Sequence, residues 1–461
     1  MPSRRSLYIS FSVIALIVVL LMVIYSPLGL QAVVAGKIKD IVVKPSSLTL
    51  YASRARTFCY SNVIQVSNQG NAGLSYMLNF SLEGAPEYFE ARAGNKSALI
   101  LGKGVAVAKQ LELGPGESMG LTICVLPPSP PQLVMRIWDP RYPAATEQAI
   151  KITVAETDWW DNGFPKRISL TPVTSREGAV LFEILGSGDV YANGVRVGRI
   201  PPLQDMRSDS IAVVYVKENM SFLLPFQVEA WERDSDGVVR PKGLRNETIR
   251  ANDRLVFAAH VSNDSRIDIY TGGKIREGFN PGLSYSDNIF EAKGFRVQLG
   301  EWGFTAPGIF VNLSGRIAYT YQQHKTYYSD PGKWRLVAVG PVRALAAFNT
   351  SGLSEYTSEA FLAFWGLGLN SVSVEVWPSV TYRGVILEWD LPLIRGNASI
   401  RFICGTTCNT LPARLEAWGV RLCENYWTPG ARYGHFTLLF NWTALGEVKM
   451  FRVRISSFPG V

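Results

Sequence analysis

The sequence has little charge and almost no histidine. Only 18% of its 461 residues are charged, and 3 are histidine. It contains no Gly-x-Ser-x-Gly turn of serine hydrolases, no phosphate-binding loop and no His-Glu-x-x-His zinc motif. It therefore carries no diagnostic motif for the common hydrolase, nucleotide-binding or metalloprotease classes.

Long amphipathic helices and basic clusters are also missing. No window has helical periodicity over more than about ten residues, and Glu359–Leu367 is the best short helix candidate. The net charge of +8 is distributed, without a Lys/Arg run longer than two, which argues against a nucleic-acid patch. With 41 Gly, 26 Pro, 12 Trp, 19 Tyr and 22 Phe, the composition favours an all-β protein. The positive balance favours an anionic polymer or surface.

One long apolar stretch is present, from Leu7 to Val34, behind Arg4 and Arg5. A bilayer core of about 30 Å requires roughly 20 apolar residues as helix, and a signal peptide carries only about 7–15 in its core. The length predicts a signal anchor, a transmembrane helix within residues 1–36. Small residues before Ala35 leave the alternative of cleavage after Ala35, which would release the protein.

Asn-x-Ser/Thr sequons are unusually frequent and predict N-glycosylation outside the cell. They would place the chain beyond the apolar stretch on the extracellular side; the alternative is a set of unmodified turn asparagines. The sequons begin at Asn79, Asn95, Asn219, Asn246, Asn263, Asn312, Asn349, Asn397 and Asn441.

Cysteine use points to the same compartment. Cys59 and Cys124 lie in two strand-like stretches, and a disulfide between them would close a loop of about 65 residues, worth roughly 4 kcal/mol in the chain-entropy model. For the later cysteines we expect one pair and a buried thiol; a metal site completed by His435 is the alternative, with spacings unlike the usual zinc patterns. These are Cys404, Cys408 and Cys423.

Short runs of about five to eight alternating apolar and polar residues fill the rest of the chain. Gly, Pro, Asn and Ser clusters separate them, as is typical of β-sandwiches. We expect an Ig-like β-sandwich over residues 37–156 and β-sandwich regions over 157–278 and 279–461. The last two regions are either separate or continuous.

Three segments resemble parts of known families. The turns at Val66–Gly73 and Leu113–Ser118 resemble those of archaeal and bacterial surface Ig-like domains, which implies a spacer, stalk or adhesion module. The stretch from Leu224 to His260, with Pro225, Gln227, Glu229 and an Ala251–Phe257 strand, resembles a segment of secreted prokaryotic β-proteins near carbohydrate-active or surface modules.

The third segment, Val339–Leu345, resembles one that recurs in large mutarotase-like and polysaccharide-lyase-like sandwiches. A polysaccharide lyase needs a base to remove a proton beside a uronate carboxylate and a cation to neutralise that group. A Tyr-rich strand with a polar loop is the alternative explanation of the stretch from Tyr321 to Tyr328, which supplies the base and a cation. The candidate catalytic residues are Tyr321, His324, Lys325 and Arg343.

Calcium is the only cofactor that the residues suggest. Glu232, Asp234 and Asp236 alternate, and Gly237 stands where a calcium loop makes its sharp turn. Gly243 occupies the position of the closing carboxylate, so a solvated hairpin is the alternative.

Two further features of the sequence suggest that the protein acts on or binds carbohydrate. Glu388 and Asp390 share a strand face and are the candidate acid pair of a glycoside hydrolase. Tryptophans next to turns could stack on sugars, although core packing explains most tryptophans in β-sandwiches. The turn tryptophans are Trp159, Trp160, Trp302, Trp377 and Trp427.

These patterns together predict an all-β protein of the cell surface, resembling archaeal envelope proteins. We expect an anchored or secreted glycoprotein that binds carbohydrate or contributes to envelope structure. Its partners would be the membrane, through the N-terminal helix, and polysaccharide or other envelope proteins. An extracellular polysaccharide lyase or glycoside hydrolase, and a surface-filament subunit with an unpaired edge strand, are the alternatives.

Overall fold

The computed structural model of the chain covers most of the sequence beyond the apolar stretch. Residues 1–38, and with them the expected anchor, lie outside the described part. None of the helices in that described part has the length and hydropathy needed to span a bilayer. The structure describes residues 39–459 except 54–55, 71–72, 85, 103–104, 127–131, 219, 276–277, 280–281, 314–315, 320–326, 329, 354–355, 381–385, 391–398, 405–413, 417–418 and 424–435.

Strands dominate, which confirms the all-β prediction. The chain forms two compact units, residues 1–162 with 459–461 and residues 163–458. The first unit contains β1 (Ile41–Lys44), β2 (Ser47–Ala52), β3 (Phe58–Asn68), β4 (Tyr76–Glu83), β5 (Tyr88–Ala93), β6 (Lys96–Gly102), β7 (Val105–Ala108), β8 (Leu111–Leu113), β9 (Ser118–Leu126), β10 (Gln132–Trp138), the short helix α1 (Pro143–Thr146) and β11 (Gln148–Glu156).

The first unit has two sheets, in the orders β1-β3-β9-β5-β6-β7 and β2-β11-β10-β4-β8. Among the described ladders of this unit, the one between β2 and β11 is parallel and the others are antiparallel. Apolar side chains at every second position are buried, as at Leu133, Met135 and Ile137 of β10. This alternation buries one face of each strand, so the period-two pattern of the sequence becomes the core.

The second unit contains the remaining strands and one 3₁₀ turn at Ser208–Ser210. They are β12 (Lys166–Arg176), β13 (Gly178–Leu185), β14 (Asp189–Ala192), β15 (Val195–Arg199), β16 (Ile211–Lys217), β17 (Met220–Leu223), β18 (Phe226–Arg233), β19 (Val239–Leu244), β20 (Arg254–Val261), β21 (Ser265–Thr271), β22 (Ser284–Ser286), β23 (Ile289–Ala292), β24 (Phe295–Gly300), β25 (Gly303–Ala306), β26 (Ile309–Asn312), β27 (Arg316–Tyr319), β28 (Tyr327–Tyr328), β29 (Lys333–Val339), β30 (Arg343–Leu353), β31 (Tyr356–Trp365), β32 (Ser371–Val380), β33 (Ile386–Asp390), β34 (Ser399–Cys404), β35 (Arg414–Glu416), β36 (Gly419–Cys423), β37 (Phe436–Asn441) and β38 (Glu447–Ser457).

Four sheets of this unit pack face to face as successive layers. The first layer is β17-β16-β21-β12-β38, and the second is β15-β14-β13-β20-β18-β19. The third layer is β29-β30-β31-β32-β37-β34, and the fourth is β22-β23-β24-β25-β26. A further sheet has the order β28-β27-β33-β36-β35. The C-terminal strand β38 joins the first layer, so the segments on either side of residue 279 belong to one unit.

The central strands of the two inner layers, such as β13 and β31, are buried on both faces. In β13, Phe182 packs in the core between the first and second layers, whereas its neighbour Leu181 packs between the second and third. In β31, Phe364 faces the fourth layer and Trp365 faces the second. Such strands are apolar on both sides, because a sheet covered on both faces has no solvated side.

This burial explains why Glu359–Leu367, the best short helix candidate in the sequence, forms a strand instead. Most of that stretch lies in β31, whose consecutive residues from Ala360 to Trp365 are all buried. A continuous apolar run fits a doubly covered strand as well as a helix, and periodicity alone cannot separate them.

Candidate functional site

Five charged side chains meet between the second and third layers, and we call this group the ionic seam. It alternates in sign along a chain of contacts, with three carboxylates and two guanidinium groups. Its members are Glu183 of β13, Glu229 of β18, Arg254 of β20, Arg343 of β30 and Glu375 of β32.

The inner half of the ionic seam is completely enclosed. Arg343 is 1% exposed and Glu229 is 0% exposed. Arg343 donates from Nε and Nη2 to the two oxygens of Glu229, at 2.7 and 2.6 Å, and from Nη1 to Glu183 at 2.8 Å. Arginine presents this fork to a carboxylate with two parallel hydrogen bonds, which gives both strength and a fixed orientation.

The outer half is partly open to solvent. Arg254 donates to Glu183 at 2.9 Å and to Glu375, and these three side chains remain 14–17% exposed. The Arg254 guanidinium lies 3.6 Å from the ring centroid of Trp231, so a cation–π contact adds to its ion pairs. Arg343 makes a similar contact with Trp365, at 4.7 Å.

Gln227 and Trp231 add hydrogen bonds to the inner half of the seam. The side-chain oxygen of Gln227 accepts from the backbone N–H groups of Val342 and Arg343, both at 3.0 Å. Its amide nitrogen donates to Glu229 at 2.8 Å, and the Trp231 indole donates to the same carboxylate at 3.0 Å. The glutamine therefore joins β18 of the second layer to the backbone that enters β30 of the third.

The surroundings keep both inner groups charged. Burial acts to raise the pKa of Glu229, but the charge and hydrogen bonds of Arg343, with the Trp231 indole, hold that pKa below its usual value. Burial acts to lower the pKa of Arg343, whereas Glu183 and Glu229 raise it above its usual value. A carboxylate with a lowered pKa and two bound guanidinium nitrogens is a poor general base, so this arrangement is suited to holding layers together rather than to proton transfer.

The lyase hypothesis placed Arg343 beside a substrate. Instead, its guanidinium is buried and binds Glu229 and Glu183, so it could neutralise a uronate only by leaving both carboxylates. The other three candidates, Tyr321, His324 and Lys325, lie outside the described residues.

All three calcium candidates bind cations of the chain itself, and two of them share Arg240. Asp234 accepts from Arg240 at 3.0 Å and from Lys242 at 3.1 Å. Asp236 accepts from Arg240 at 2.8 and 2.6 Å, and Glu359 binds the same guanidinium at 2.6 Å. We call these five residues the Arg240 cluster.

The third calcium candidate, Glu232, lies in a different group. It accepts from Arg250 at 2.7 Å and from Arg245 at 3.2 Å. Within residues 39–459 as described, no group of three or more His, Cys, Asp or Glu side chains is arranged to hold a metal ion. The structure thus does not gather the three carboxylates around one point.

The predicted disulfide between Cys59 and Cys124 is present. The two residues stand directly opposite each other in the ladder between β3 and β9, with Cα atoms 4.1 Å apart. It therefore links neighbouring strands of one sheet, unlike the inter-sheet bridge of antibody domains. The side chains of Cys404, Cys408 and Cys423, with His435, lie outside the described part.

The sequons differ in accessibility. Asn79 and Asn312 are half-buried, and Asn219 and Asn397 lie outside the described residues. Asn441 is 7% exposed, and its side-chain oxygen accepts from the Ser371 hydroxyl at 3.1 Å. A glycan could not be accommodated there without opening the third layer. The exposed positions are Asn95, Asn246, Asn263 and Asn349.

Most of the turn tryptophans serve the core. Trp159 and Trp160 are 2% and 7% exposed, and Trp377 packs against the core between the second and third layers. Trp302, in the turn between β24 and β25, is 41% exposed. Trp427 and the side chains of the hydrolase candidates Glu388 and Asp390 lie outside the described part.

No protein-family model and no curated protein matches this chain. Among solved structures, it is similar to the secreted serine protease VesC from Vibrio cholerae, with 11% identity, 53% of each chain covered and a TM-score of 0.19. It is also similar to an ICAM-5 D1–D4 ectodomain fragment, with 9% identity over 90% of this chain and 98% of that one and a TM-score of 0.14. The chain matches about half the length of VesC.

Proposed function

We propose that the protein works outside the cell as an anchored or secreted, N-glycosylated β-protein that binds carbohydrate or contributes to envelope structure. The Cys59–Cys124 disulfide carries this proposal, because structural disulfides persist in oxidising compartments and are rare in the cytosol. Exposed sequons in both units add support. In this proposal the first unit is an Ig-like spacer above a membrane helix, and the second is the functional β-sandwich region.

The location is tested by mass spectrometry of the protein from its native cells. We expect a glycan at one or more of the four exposed sequons and an unmodified Asn441. The same peptides report whether the mature chain begins at Met1 or after Ala35. An unmodified chain with free Cys59 and Cys124 thiols would contradict an extracellular location.

Carbohydrate is the proposed ligand, and Trp302 is the residue that best supports it. A large aromatic face beside a turn can stack on a sugar ring. A glycan array probed with the full chain should show binding that Trp302→Ala reduces about tenfold or more. Tyr142→Ala is the matched control, because Tyr142 is an equally exposed aromatic (42%) in the other unit. Binding unchanged in the Trp302 variant would exclude this residue as the sugar platform.

A further inference from the structure

The C-terminal strand β38 is a long edge strand with an unusual surface. It pairs with β12 on one side and forms the end of the first layer. Most of its side chains are exposed, among them the apolar Met450, Val453 and Ile455, at 52%, 41% and 62%. In the part of the chain that the structure describes, no strand pairs with the other edge of β38, so the backbone N–H and C=O groups there can pair with another strand.

The side chains of β38 alternate between two chemically different faces. Arg452 and Arg454 stand opposite Thr171 and Ser169 of β12, on one face of the sheet. Val453 and Ile455 point to the other face, since they stand opposite the inward residues Leu170 and Ile168. A strand added here would therefore meet cations on one face and apolar groups on the other.

The charge of the strand is predominantly positive. Lys449, Arg452 and Arg454 are exposed, and the single carboxylate, Glu447, lies 3.5 Å from Arg401. The occupant that complements this strand is acidic on one face.

A second copy of the chain is a poor occupant. Antiparallel pairing of β38 with itself would bring its three cations close to those of the partner, and like charges across a ladder are unfavourable. The other edge strands whose side chains the structure describes are neutral or basic, apart from β8 with Glu112. Complementarity therefore favours a different protein.

We propose that β38 binds, by strand addition, an extended segment of another protein in which acidic and apolar residues alternate. Main-chain hydrogen bonds would supply affinity, and the alternating side chains would select register and partner. This inference depends on the proposed function in one respect, namely that the partner protein lies outside the cell.

The test is fluorescence anisotropy of a labelled ten-residue peptide with alternating Asp and Val, titrated with the full chain. We expect saturable binding, weakened about tenfold or more when the same residues are arranged in blocks. Two further versions of the alternating peptide carry N-methyl groups on every second backbone nitrogen, starting at the first or at the second residue. One of the two should bind about tenfold more weakly or worse, because only the amides that face β38 donate hydrogen bonds to it. The double variant Arg452→Glu with Arg454→Glu should no longer bind the Asp–Val peptide and should instead bind an alternating Lys–Val peptide.

A matched control variant is Lys333→Glu with Arg335→Glu, which reverses two exposed cations on another edge strand, β29. It should leave binding unchanged, and circular dichroism should confirm that both double variants are folded. Absence of binding would overturn strand addition. Binding of the block peptide and of poly-aspartate as tight as that of the alternating peptide would also overturn it, in favour of a general polyanion surface. Self-association of the chain that the Arg452 and Arg454 reversal abolishes would overturn the heterologous partner. Because the peptide assay needs neither glycan nor membrane, its failure would leave the extracellular proposal standing.

Discussion

The three spaces between the four layers of the second unit are filled in different ways. The first–second and third–fourth spaces are lined by apolar side chains, such as Phe182 with Phe257 and Phe364 with Phe290. The second–third space holds a smaller apolar core and the ionic seam. Apolar packing is non-directional, whereas a bidentate arginine–carboxylate pair tolerates little displacement. The ionic seam in the central space therefore fixes the position of the first and second layers relative to the third and fourth.

This division has an energetic consequence. Taking charges out of water costs several kcal/mol per ion, and pairing only about offsets that cost, so an intact buried pair contributes little net stability. Removing one partner leaves an uncompensated buried charge and is strongly destabilising. We therefore interpret the ionic seam as a device of specificity and the apolar spaces as the source of stability.

The largest effect is expected from breaking the seam on one side. Arg343→Met removes the partner of Glu229 and should lower the free energy of unfolding by about 3–5 kcal/mol. Urea denaturation followed by tryptophan fluorescence measures the change. A loss below about 1 kcal/mol would mean that water or another cation readily replaces Arg343.

A smaller effect is expected in the apolar space between the third and fourth layers. Phe364 stacks on Phe290 and Phe295, with ring centroids 5.9 and 5.8 Å apart. Phe364→Leu keeps an apolar group and should cost about 1–2 kcal/mol through imperfect packing. The same urea assay applies, and a cost equal to that of Arg343→Met would remove the contrast between the two spaces.

A smaller effect still is expected at the Arg240 cluster, which joins the same two layers in a more exposed position. Arg240 and its three carboxylates have side chains 18–33% exposed. Because solvent screens these pairs, Arg240→Gln should cost about 0.5–1 kcal/mol. Added salt should reduce this cost and leave that of Arg343→Met nearly unchanged. Equal salt sensitivity of the two variants would show that the seam is solvated.

The seam should also confer a pH dependence that the apolar spaces lack. In the folded state the pKa of Glu229 lies below its usual value of 4.5. The ionised side chain therefore contributes fully to the folding stability above pH 4.5, and this contribution is lost as the pH falls through the pKa of the folded state. The stability difference between the wild type and Glu229→Gln should therefore shrink below pH 4.5. The difference between the wild type and Phe364→Leu should stay constant over the same range, and a parallel decline of both would refute the assignment.

Strands and the disulfide were predictable from the sequence, whereas the contacts between distant strands were not. The period-two alternation predicted strands, and the Cys59–Cys124 pair was apparent from its two strand-like surroundings. The segments around Gln227–Glu229 and Val339–Leu345 stood out only as resemblances to other proteins. Their contact, between Arg343 and Glu229, joins residues 114 positions apart, and nothing in either strand specifies the other. One signal was available, because Gln227 and Glu229 are polar residues at alternate positions of the otherwise apolar run from Phe226 to Trp231 and need buried partners.

A double-mutant cycle on Arg343 and Glu229 tests the account most directly. Arg343→Met and Glu229→Leu should each lower the free energy of unfolding by about 3–5 kcal/mol, while the double variant should lose much less than the sum of the two, since no uncompensated charge remains between the two residues. A double variant whose loss equals the sum of the two single losses would contradict the account. It would show that the two side chains stabilise the layers independently rather than as one buried pair.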